Sequence, residues 1–554
     1  METFPTTKTE MHTLGWEQCD VIIVSGDAFV DHPAFGTAVI ARVLQAENYR
    51  VGIIDQPDWT NGSNIRRLGK PRLCFAVTAG NVDSMVAHYT VNRKKRHDDP
   101  YSPGGEAGKR PNRTSIVYTN LIQSTFRGIP VILGGIEASL RRMAHYDYWS
   151  DKVRRSILLD SKADLLIYGM AERPVKEVIY RLAEGEKIRE ICDVPSTVCR
   201  TSHISEGLVL PSYEELKTDK QAFNTMTRMH YDNRIYPYAE TLYQRYGDQL
   251  LRINPPAEPL AQKEMDAVYA LPFTREPHPK YREKIPAWEQ IKTSVTAHRG
   301  CFGNCSFCAI TFHQGPRIQS RSRYSVLNEI RNMSRKPWFR GTVSDIGGPT
   351  ANMYGIRCGI GGCKNMNCLY PEICEHLQVT DQGKYISLLE DARKLPNVKH
   401  VFIASGLRHD LALADLPSME KMVTVFTGGH LKIAPEHLAG NVTRLMNKPK
   451  GKVYFRFLKK FREFSKKAGK EQYIVPYFIS GHPGCTDTMM QHLQKILKKS
   501  DHRLQQAADF YPTPMTIATA MYYTGHHPLT GEKLYVPRTA GEKRRQFRMM
   551  MWHK

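Results

Sequence analysis

The stretch "TSVTAHRGCFGNCSFCAI", residues 293–310, joins a strand-like run to three closely spaced cysteines. Cys301, Cys305 and Cys308 follow the strand directly, in the spacing C-x3-C-x2-C. Three thiolates on one short loop can hold three irons of a cubane cluster and leave the fourth iron with an open position. The alternatives are a zinc site that takes a distant fourth ligand, or unrelated core cysteines.

Further strand-like runs follow this stretch, with helical segments between them. About five or six strand–helix units in roughly 220 residues predict an incomplete or full β/α barrel over residues 286–515. Barrels carry their chemistry at the C-terminal ends of the strands, which is where the three cysteines stand. The later runs are "GTVSDIGG" (341–348), "KHVFIASG" (399–406), "MVTVFTGG" (422–429), "HLKIAPEH" (430–437) and "QYIVPYFISGHPG" (472–484).

The first part of the chain, residues 1–215, also alternates buried strands with helices. Apolar runs that end in glycine or a small residue, such as "DVIIVS" (20–25) and "PVILGGIEAS" (130–139), predict a doubly wound parallel sheet. The fold class is therefore α/β, a doubly wound N-terminal domain followed by a partial β/α barrel. The proline-rich segment 216–285 predicts an extended linker that either only connects the domains or wraps the mouth of the barrel. Residues 516–554 form a basic C-terminal extension.

The chain is strongly basic, with 78 Lys and Arg against 55 Asp and Glu and a net charge of +23. Such a charge favours an anionic partner such as RNA or the ribosome, and a dispersed solvated surface is the alternative. The N-terminus has no apolar signal region, and no run of about 18 apolar residues occurs. We therefore expect a cytoplasmic protein without a membrane partner.

Seven of the 12 cysteines fall between residues 301 and 374, which favours metal or an iron–sulfur cluster over a disulfide framework. Besides the first three, a second group lies in the Gly-rich stretch "CGIGGCKNMNCLYPEIC" (358–374). It is a candidate second metal site, either a second iron–sulfur cluster or zinc. Free thiols or a transient disulfide are the alternative. Its members are Cys358, Cys363, Cys368 and Cys374.

The stretch "CFGNCSFC" resembles the signature of the radical S-adenosylmethionine (radical SAM) superfamily. The resemblance implies that Cys301, Cys305 and Cys308 bind a 4Fe–4S cluster whose open iron is chelated by S-adenosylmethionine, with Phe307 beside the adenine. Three later strand ends, "DIGGPTANMY" (345–354), "ASGLRHD" (404–410) and "KIAPEH" (432–437), are similar to cofactor-binding segments of that family. The family's Gly-Gly-Glu has proline at its third position here, so only backbone carbonyls remain candidates there. The implied S-adenosylmethionine contacts are Phe307, Gly347, Gly348, Pro349, Ser405, Arg408 and Glu436.

The resemblance is closer to the uncharacterised YgiQ-type group of radical SAM proteins, through "GDAFVDHPAFG" (26–36), "LGGIEASLRRMAHYDYWSD" (133–151) and "DFYPTPMTIATAMYYTG" (509–525). It implies an enzyme that cleaves S-adenosylmethionine reductively to a 5′-deoxyadenosyl radical, with a flavodoxin or ferredoxin as reductant. A non-catalytic iron–sulfur or zinc protein that binds nucleic acid or senses redox state is the alternative.

The N-terminal domain resembles cobalamin-binding domains, but the motif D-x-H-x-x-G is absent. Asp31 is adjacent to His32 instead, so cobalamin either binds without a histidine ligand or does not bind.

Overall fold

A computed structural model describes residues 3–364, 367–499, 503–505 and 507–553 of the 554 residues. The chain divides into two compact units. Unit 1 comprises residues 1–258 and 267–292, and unit 2 comprises residues 259–266 and 293–554.

Unit 1 is built on a nine-stranded sheet. The strands of unit 1 are β1 (Val21–Ser25), β2 (Val30–Asp31), β3 (Val51–Asp55), β4 (Cys74–Thr78), β5 (Val131–Gly134), β6 (His145–Asp147), β7 (Lys152–Arg154), β8 (Leu165–Ile167), β9 (Thr197–Thr201), β10 (Leu208–Val209), β11 (Leu242–Tyr246), β12 (Gln249–Ile253) and β13 (Glu276–Pro277). The sheet has the order β10-β11-β12-β9-β8-β5-β4-β1-β3.

Five of these strands, in the order β3-β1-β4-β5-β8, pair with one another in parallel. Numbered along the chain, this is the order 2-1-3-4-5 of a doubly wound fold, so the predicted architecture of the N-terminal domain is confirmed. β1 and β3 are buried along their whole length, as expected of strands covered by helices on both faces.

The helices around this sheet bury apolar faces in one core. Val39 and Val43 of one helix and Val175 and Ile179 of another contribute to that core. The helices are α1 (Lys8–Thr13), α2 (Gly36–Ala46), α3 (Ser84–His88), α4 (Thr114–Thr125), α5 (Gly135–Ser139), α6 (Ile157–Ser161), α7 (Glu172–Ala183), α8 (Tyr213–Thr218), α9 (Lys220–Asp232), α10 (Gln262–Tyr269), which has residues in both units, and α11 (Pro286–Ile291).

The structure corrects the predicted extended linker over 216–285. This segment contains α9 and the hairpin β11–β12, and β12 joins the large sheet by antiparallel pairing with β9. The proline-rich run 253–262 begins at the end of β12, so it follows the hairpin and does not replace it. In addition, Cys192 and Cys199 form a disulfide, which the sequence analysis did not predict.

Unit 2 contains parallel strands that follow one another in chain order. Its strands are β14 (Ser294–Thr296), β15 (His298–Arg299), β16 (Gln319–Ser320), β17 (Thr342–Val343), β18 (Asp345–Gly347), β19 (His400–Val401), β20 (His430–Glu436), β21 (Tyr473–Ser480) and β22 (Ala507–Asp509). β14 pairs with β18, β17 with β19, and β20 with β21 and then β22, all in parallel. A parallel bridge between Leu407 and Ile433 connects the chain after β19 to β20. This series is the predicted partial β/α barrel.

Helices alternate with these strands and enclose a second core. The longest of them, residues 451–467, buries Phe457, Phe461 and Phe464, which recur every three or four residues on one face. The helices are α12 (Ile310–His313), α13 (Arg323–Met333), α14 (Gln382–Arg393), α15 (His409–Ala414), α16 (Leu416–Thr424), α17 (Gly440–Leu445), α18 (Gly451–Lys467), α19 (Asp487–Lys499), α20 (Ile517–Thr524) and α21 (Ala540–Met550).

The described part of the C-terminal extension, residues 516–553, packs onto the barrel. The amide of Gln546 on α21 accepts from the Gly481 N–H at 3.0 Å and donates to the Cys485 carbonyl at 2.9 Å. On α20, the Ala518 N–H donates to the Ser306 carbonyl at 2.9 Å, within the three-cysteine loop. Among the described residues, none of the helices combines the length and apolar character needed to cross a membrane.

Candidate functional site

The loop that carries Cys301, Cys305 and Cys308 begins directly after β15 and is tightly folded. Gly300 has φ +83°, and a Cβ there would collide with the Arg317 carbonyl, so glycine is required at the start of the loop. The Gly303 N–H donates to the Cys301 Sγ at 3.3 Å, and the Cys308 N–H donates to the Cys305 carbonyl at 3.1 Å. The chain therefore turns its three cysteines toward one place.

The three thiols are close enough to influence one another's charge. A Cβ at Gly303 would lie 3.2 Å from the Cys301 Sγ and 3.7 Å from the Cys305 Sγ. Burial, and then the charges of Cys305 and Cys301, raise the pKa of Cys308 to about 12. Burial and Cys305 also raise the pKa of Cys301. A metal centre that takes up thiolates would relieve this accumulation of negative charge, so the donor set fits a cluster.

Two buried cations face these thiols. The Arg408 Nη1 lies 3.6 Å from the Cys305 Sγ, and the Arg408 Nε donates to Asp410 at 2.9 Å. Burial lowers the pKa of Lys448, but the negative charges of Cys305 and Glu436 outweigh it and leave that pKa raised. The Lys448 ammonium lies 3.2 Å from Glu436. Positive charge is thus concentrated beside the thiols without being exposed to water.

Several polar atoms at this site have no hydrogen-bond partner among the described residues. They are the Arg408 Nη2, the Glu436 Oε2 and the Nε2 of His482, and all three side chains are buried. A buried polar group without a partner costs free energy, so such groups indicate a ligand that satisfies them. A donor and an acceptor beside the three thiols suit the carboxylate and the amino group of an amino-acid moiety.

The predicted segment Gly347-Gly348-Pro349 leaves the end of β18 in close contact with its neighbours. A Cβ at Gly347 would collide with the Ser405 hydroxyl, and a Cβ at Gly348 would lie 2.6 Å from the His298 carbonyl. The Ser405 hydroxyl donates to Asp345, and the Ser405 N–H donates to the same carboxylate at 2.9 Å. Ser405 is therefore held by the protein itself, and its contact with a cofactor remains a prediction, as do those of Gly347, Gly348 and Pro349.

Phe307 packs edge-on against His482, with the ring centroids 6.1 Å apart. Sequence reasoning did not single out His482 or Lys448 as functional residues. The Lys448 ammonium donates to the Ala434 carbonyl at 2.9 Å, and the turn before it holds the cysteine loop, since the Ser306 N–H donates to the Met446 carbonyl at 3.1 Å. The only signal in the sequence was a Lys-Pro pair in "MNKPKG" (446–451), which is typical of any turn.

The second cysteine group lies on the long loop between β18 and α14. Burial, and then the charges of Cys374, Cys363 and Cys358, raise the pKa of Cys368 to about 11. The other three thiols are therefore near enough to Cys368 to act on its charge. Their role as a metal site remains a prediction at this point.

The residues at the ligand-binding edge of the unit 1 sheet do not fit cobalamin. The topological switch point lies between β1 and β4, where a doubly wound sheet binds ligands. There the Asp27 carboxylate packs so closely on Gly80 that a Cβ at Gly80 would collide with it. Arg110, fully buried, bridges Asp27 at 2.8 Å and Asp99 at 2.8 Å. His32 directly follows β2 and is itself buried. We therefore derive no step through cobalamin.

Comparison with known proteins agrees with the fold. A family model described as "Radical SAM N-terminal" matches residues 3–294, and one described as "Domain of unknown function (DUF3362)" matches residues 505–554. A UPF0313 protein of Methanocella arvoryzae is 50% identical over 99% of this chain and 92% of its own length. A UPF0313 protein of Geobacter sulfurreducens is 50% identical over 100% of this chain and 93% of its own length.

Among solved structures, the radical S-adenosylmethionine methyltransferase TsrM from Kitasatospora setae, with cobalamin and a [4Fe-4S] cluster bound, is similar in fold. Its TM-score is 0.51 at 12% identity, over 90% of this chain and 77% of TsrM. At this identity the likeness concerns the fold alone. The near full-length relatives show more, and the chain belongs to the UPF0313 family, a YgiQ-type group of radical SAM proteins.

Proposed function

We propose that this protein is a radical SAM enzyme whose 4Fe–4S cluster is held by Cys301, Cys305 and Cys308. One observation carries the proposal: three partly buried thiols converge beside two buried cations, and beside a donor and an acceptor that lack partners among the described residues. When bound, such a cluster supplies the electron that cleaves S-adenosylmethionine into methionine and a 5′-deoxyadenosyl radical, which abstracts hydrogen from a substrate. A flavodoxin or ferredoxin in the cytoplasm is the proposed electron donor.

The protein's own groups bind and orient the reactants. Arg408 and Lys448 stabilise the negative charge of the thiolates in a setting of low dielectric constant. Among the described residues, the Arg408 Nη2 and the Glu436 Oε2 have no partner. The first is a donor for a carboxylate, and the second is an acceptor for an ammonium or hydroxyl group. Phe307 and His482 form an aromatic wall beside the loop and exclude water.

The first prediction concerns cleavage of S-adenosylmethionine. Anaerobically prepared, reduced protein is expected to release 5′-deoxyadenosine and methionine slowly without its substrate. Cys301→Ala, Cys305→Ala or Cys308→Ala should each abolish the product, because each removes one of the three cluster ligands. Liquid chromatography with mass spectrometry measures both products.

The matched control for these variants is Cys74→Ala, which removes a buried thiol of β4 in unit 1 and should leave cleavage intact. A fully loaded and reduced cluster that never cleaves S-adenosylmethionine would contradict the proposal. It would favour the alternative of a non-catalytic iron–sulfur protein that binds nucleic acid or senses redox state.

RNA, free or within the ribosome, is the substrate class that we propose. The net charge of +23 supports an anionic partner, and α18 provides one concentrated surface for it. Lys452, Arg456, Lys459 and Lys466 are exposed on this helix, and Phe455 is exposed beside them. Cations interleaved with an aromatic ring suit the phosphates and bases of a single strand.

A further inference from the structure

The long loop after β18 is folded so that its cysteines approach one another. Cys358 forms an antiparallel bridge with Leu377, whose N–H donates to the Cys374 carbonyl at 3.0 Å. The Cys374 N–H donates to the Cys368 carbonyl at 2.8 Å. Backbone hydrogen bonds thus tie three of the four cysteines of this loop together, although up to 16 residues separate them in sequence.

The fourth cysteine, Cys363, follows a turn that only glycine can form. Gly361 and Gly362 have φ of +73° and +124°, in the region that other residues rarely adopt. A Cβ at Gly362 would lie 2.5 Å from the Arg317 guanidinium, so this cation packs directly against the turn. The turn returns the chain toward Cys358, whose carbonyl accepts from the Gly361 N–H at 3.1 Å.

This loop is joined to the loop that carries the first three cysteines. The Asn304 side chain donates to the Asn367 side chain at 2.8 Å. Cys301 from one loop and Cys368 and Cys374 from the other pack against the same small apolar cluster, which includes Phe302 and Leu369. The two cysteine groups are therefore neighbours, and each has a partly apolar shell.

The arrangement of the thiols favours a cluster over a single ion. One zinc ion needs four ligands at a common distance of about 2.3 Å, so its thiolates must nearly touch. In the part of the chain that the structure describes, no three His, Cys, Asp or Glu side chains come close enough for one ion. Thiolates that are too far apart for one ion still suit a cubane, because each thiolate binds a different iron.

We propose that Cys358, Cys363, Cys368 and Cys374 hold a second 4Fe–4S cluster, next to the first and fully ligated by the protein. Because all four irons would have a thiolate, this cluster has no open position and does not bind S-adenosylmethionine. The site stands on its own ligands and does not depend on catalysis at the first one.

Two sets of variants of the full chain separate the two sites. Wild-type protein prepared anaerobically should carry about eight irons, and about four should remain either in the Cys301/Cys305/Cys308→Ala protein or in the Cys358/Cys363/Cys368/Cys374→Ala protein. Iron and sulfide analysis and Mössbauer spectroscopy measure these contents. Adding S-adenosylmethionine to the reduced proteins should change the electron paramagnetic resonance spectrum of the four-cysteine variant and leave that of the three-cysteine variant unchanged.

Other outcomes overturn the inference. Stoichiometric zinc that disappears with the four-cysteine substitution would show a single-ion site, and unchanged iron and zinc would show free thiols. Loss of the first cluster's spectrum in the four-cysteine variant, with circular dichroism unchanged, would show a shared ligand. If that variant fails to fold, iron in the three-cysteine variant decides: about four irons support the second cluster, and none rejects it. Failure to cleave S-adenosylmethionine would leave the iron counts unaffected.

Discussion

At the scale of single residues, Lys448 and Glu436 form a buried ion pair at the candidate site. Glu436 has φ +64°, which places its carboxylate in a buried position where burial raises its pKa. Lys448, buried as well, lies 3.2 Å from it and also faces Cys305. Removing one partner of a buried ion pair destabilises a protein far more than removing both, because a lone buried charge remains when only one is removed.

We therefore expect Lys448→Met to destabilise unit 2 by about 3–5 kcal/mol, since it leaves Glu436 buried without its counter-ion. The double variant Lys448→Met/Glu436→Gln should recover most of this loss. Its affinity for S-adenosylmethionine should nevertheless stay reduced by roughly tenfold or more, because the charged acceptor is gone. Chemical denaturation and equilibrium binding to the anaerobically prepared protein measure the two effects.

The control for the double variant is the exposed i,i+3 pair Lys460–Glu463 on α18, which is expected to contribute under 1 kcal/mol. Full S-adenosylmethionine affinity in the double variant would show that the pair has only a structural role.

At the scale of elements, α18 combines two opposite requirements on one helix. Its inner face buries Phe457, Phe461 and Phe464, and its sequence carries seven Lys or Arg against one Glu. Like charges on one exposed face destabilise a helix, so the burial of the aromatic face has to offset their repulsion. The destabilisation that this repulsion causes is explained if the exposed face of α18 binds an anion.

Replacing Lys452, Arg456, Lys459 and Lys466 by Gln should weaken binding to a single-stranded RNA oligonucleotide. For each phosphate that the variant no longer neutralises, the slope of log affinity against log salt concentration should fall by about 0.7, because fewer counter-ions are released. Fluorescence anisotropy at several salt concentrations measures this slope.

A matched control removes the same charge from unit 1, by replacing the exposed Arg127, Lys176, Lys187 and Arg189 with Gln. Equal loss of RNA binding in both variants would show a general charge effect. If both variants bind the RNA as tightly as the natural chain does, α18 is not an RNA-binding surface.

At the scale of the whole molecule, unit 1 retains the doubly wound fold but fills its ligand-binding edge with its own ion pairs. Burial raises the pKa of Asp27 to about 6 in spite of the nearby Arg110. The folded state therefore binds a proton more readily than the unfolded chain between pH about 4 and about 6. Ionisation of Asp27 therefore lowers the free energy of unfolding. This loss grows as the pH rises through this window and stays constant above it.

The side chain introduced by Asp27→Asn cannot ionise. As the pH rises from about 4 to about 6, the free energy of unfolding of this variant should therefore increase relative to that of the natural chain, by on the order of 2–3 kcal/mol. Hydrogen exchange of the β1 and β4 amides, compared between the two proteins at each pH, measures the difference locally. The control is Asp58→Asn on an exposed turn, which should show no such trend. A constant difference between Asp27→Asn and the natural chain would contradict the assignment.

Local patterns were sufficient to predict the two architectures and the cysteine loop. The buried runs of β1, β3, β5 and β8 are continuous and apolar, which is a strong local signal for parallel strands. The spacing of Cys301, Cys305 and Cys308 is likewise a property of the chain itself. By contrast, the hairpin β11–β12 was predicted as a linker, because its short strands lack a regular alternation of polar and apolar residues and are followed by prolines.

The amino-acid sequence by itself determined which chemistry the cysteine loop can support, since ligand type and spacing are local. Only the tertiary structure placed Lys448 against Glu436 and Arg408 against Cys305, because these contacts join residues from different elements of the chain. It also decided that the switch point of unit 1 is filled, since Asp27, Asp99 and Arg110 meet there through folding of separate loops. Burial turns such contacts into strong interactions by removing water, and no local pattern of residues encodes burial of a polar group.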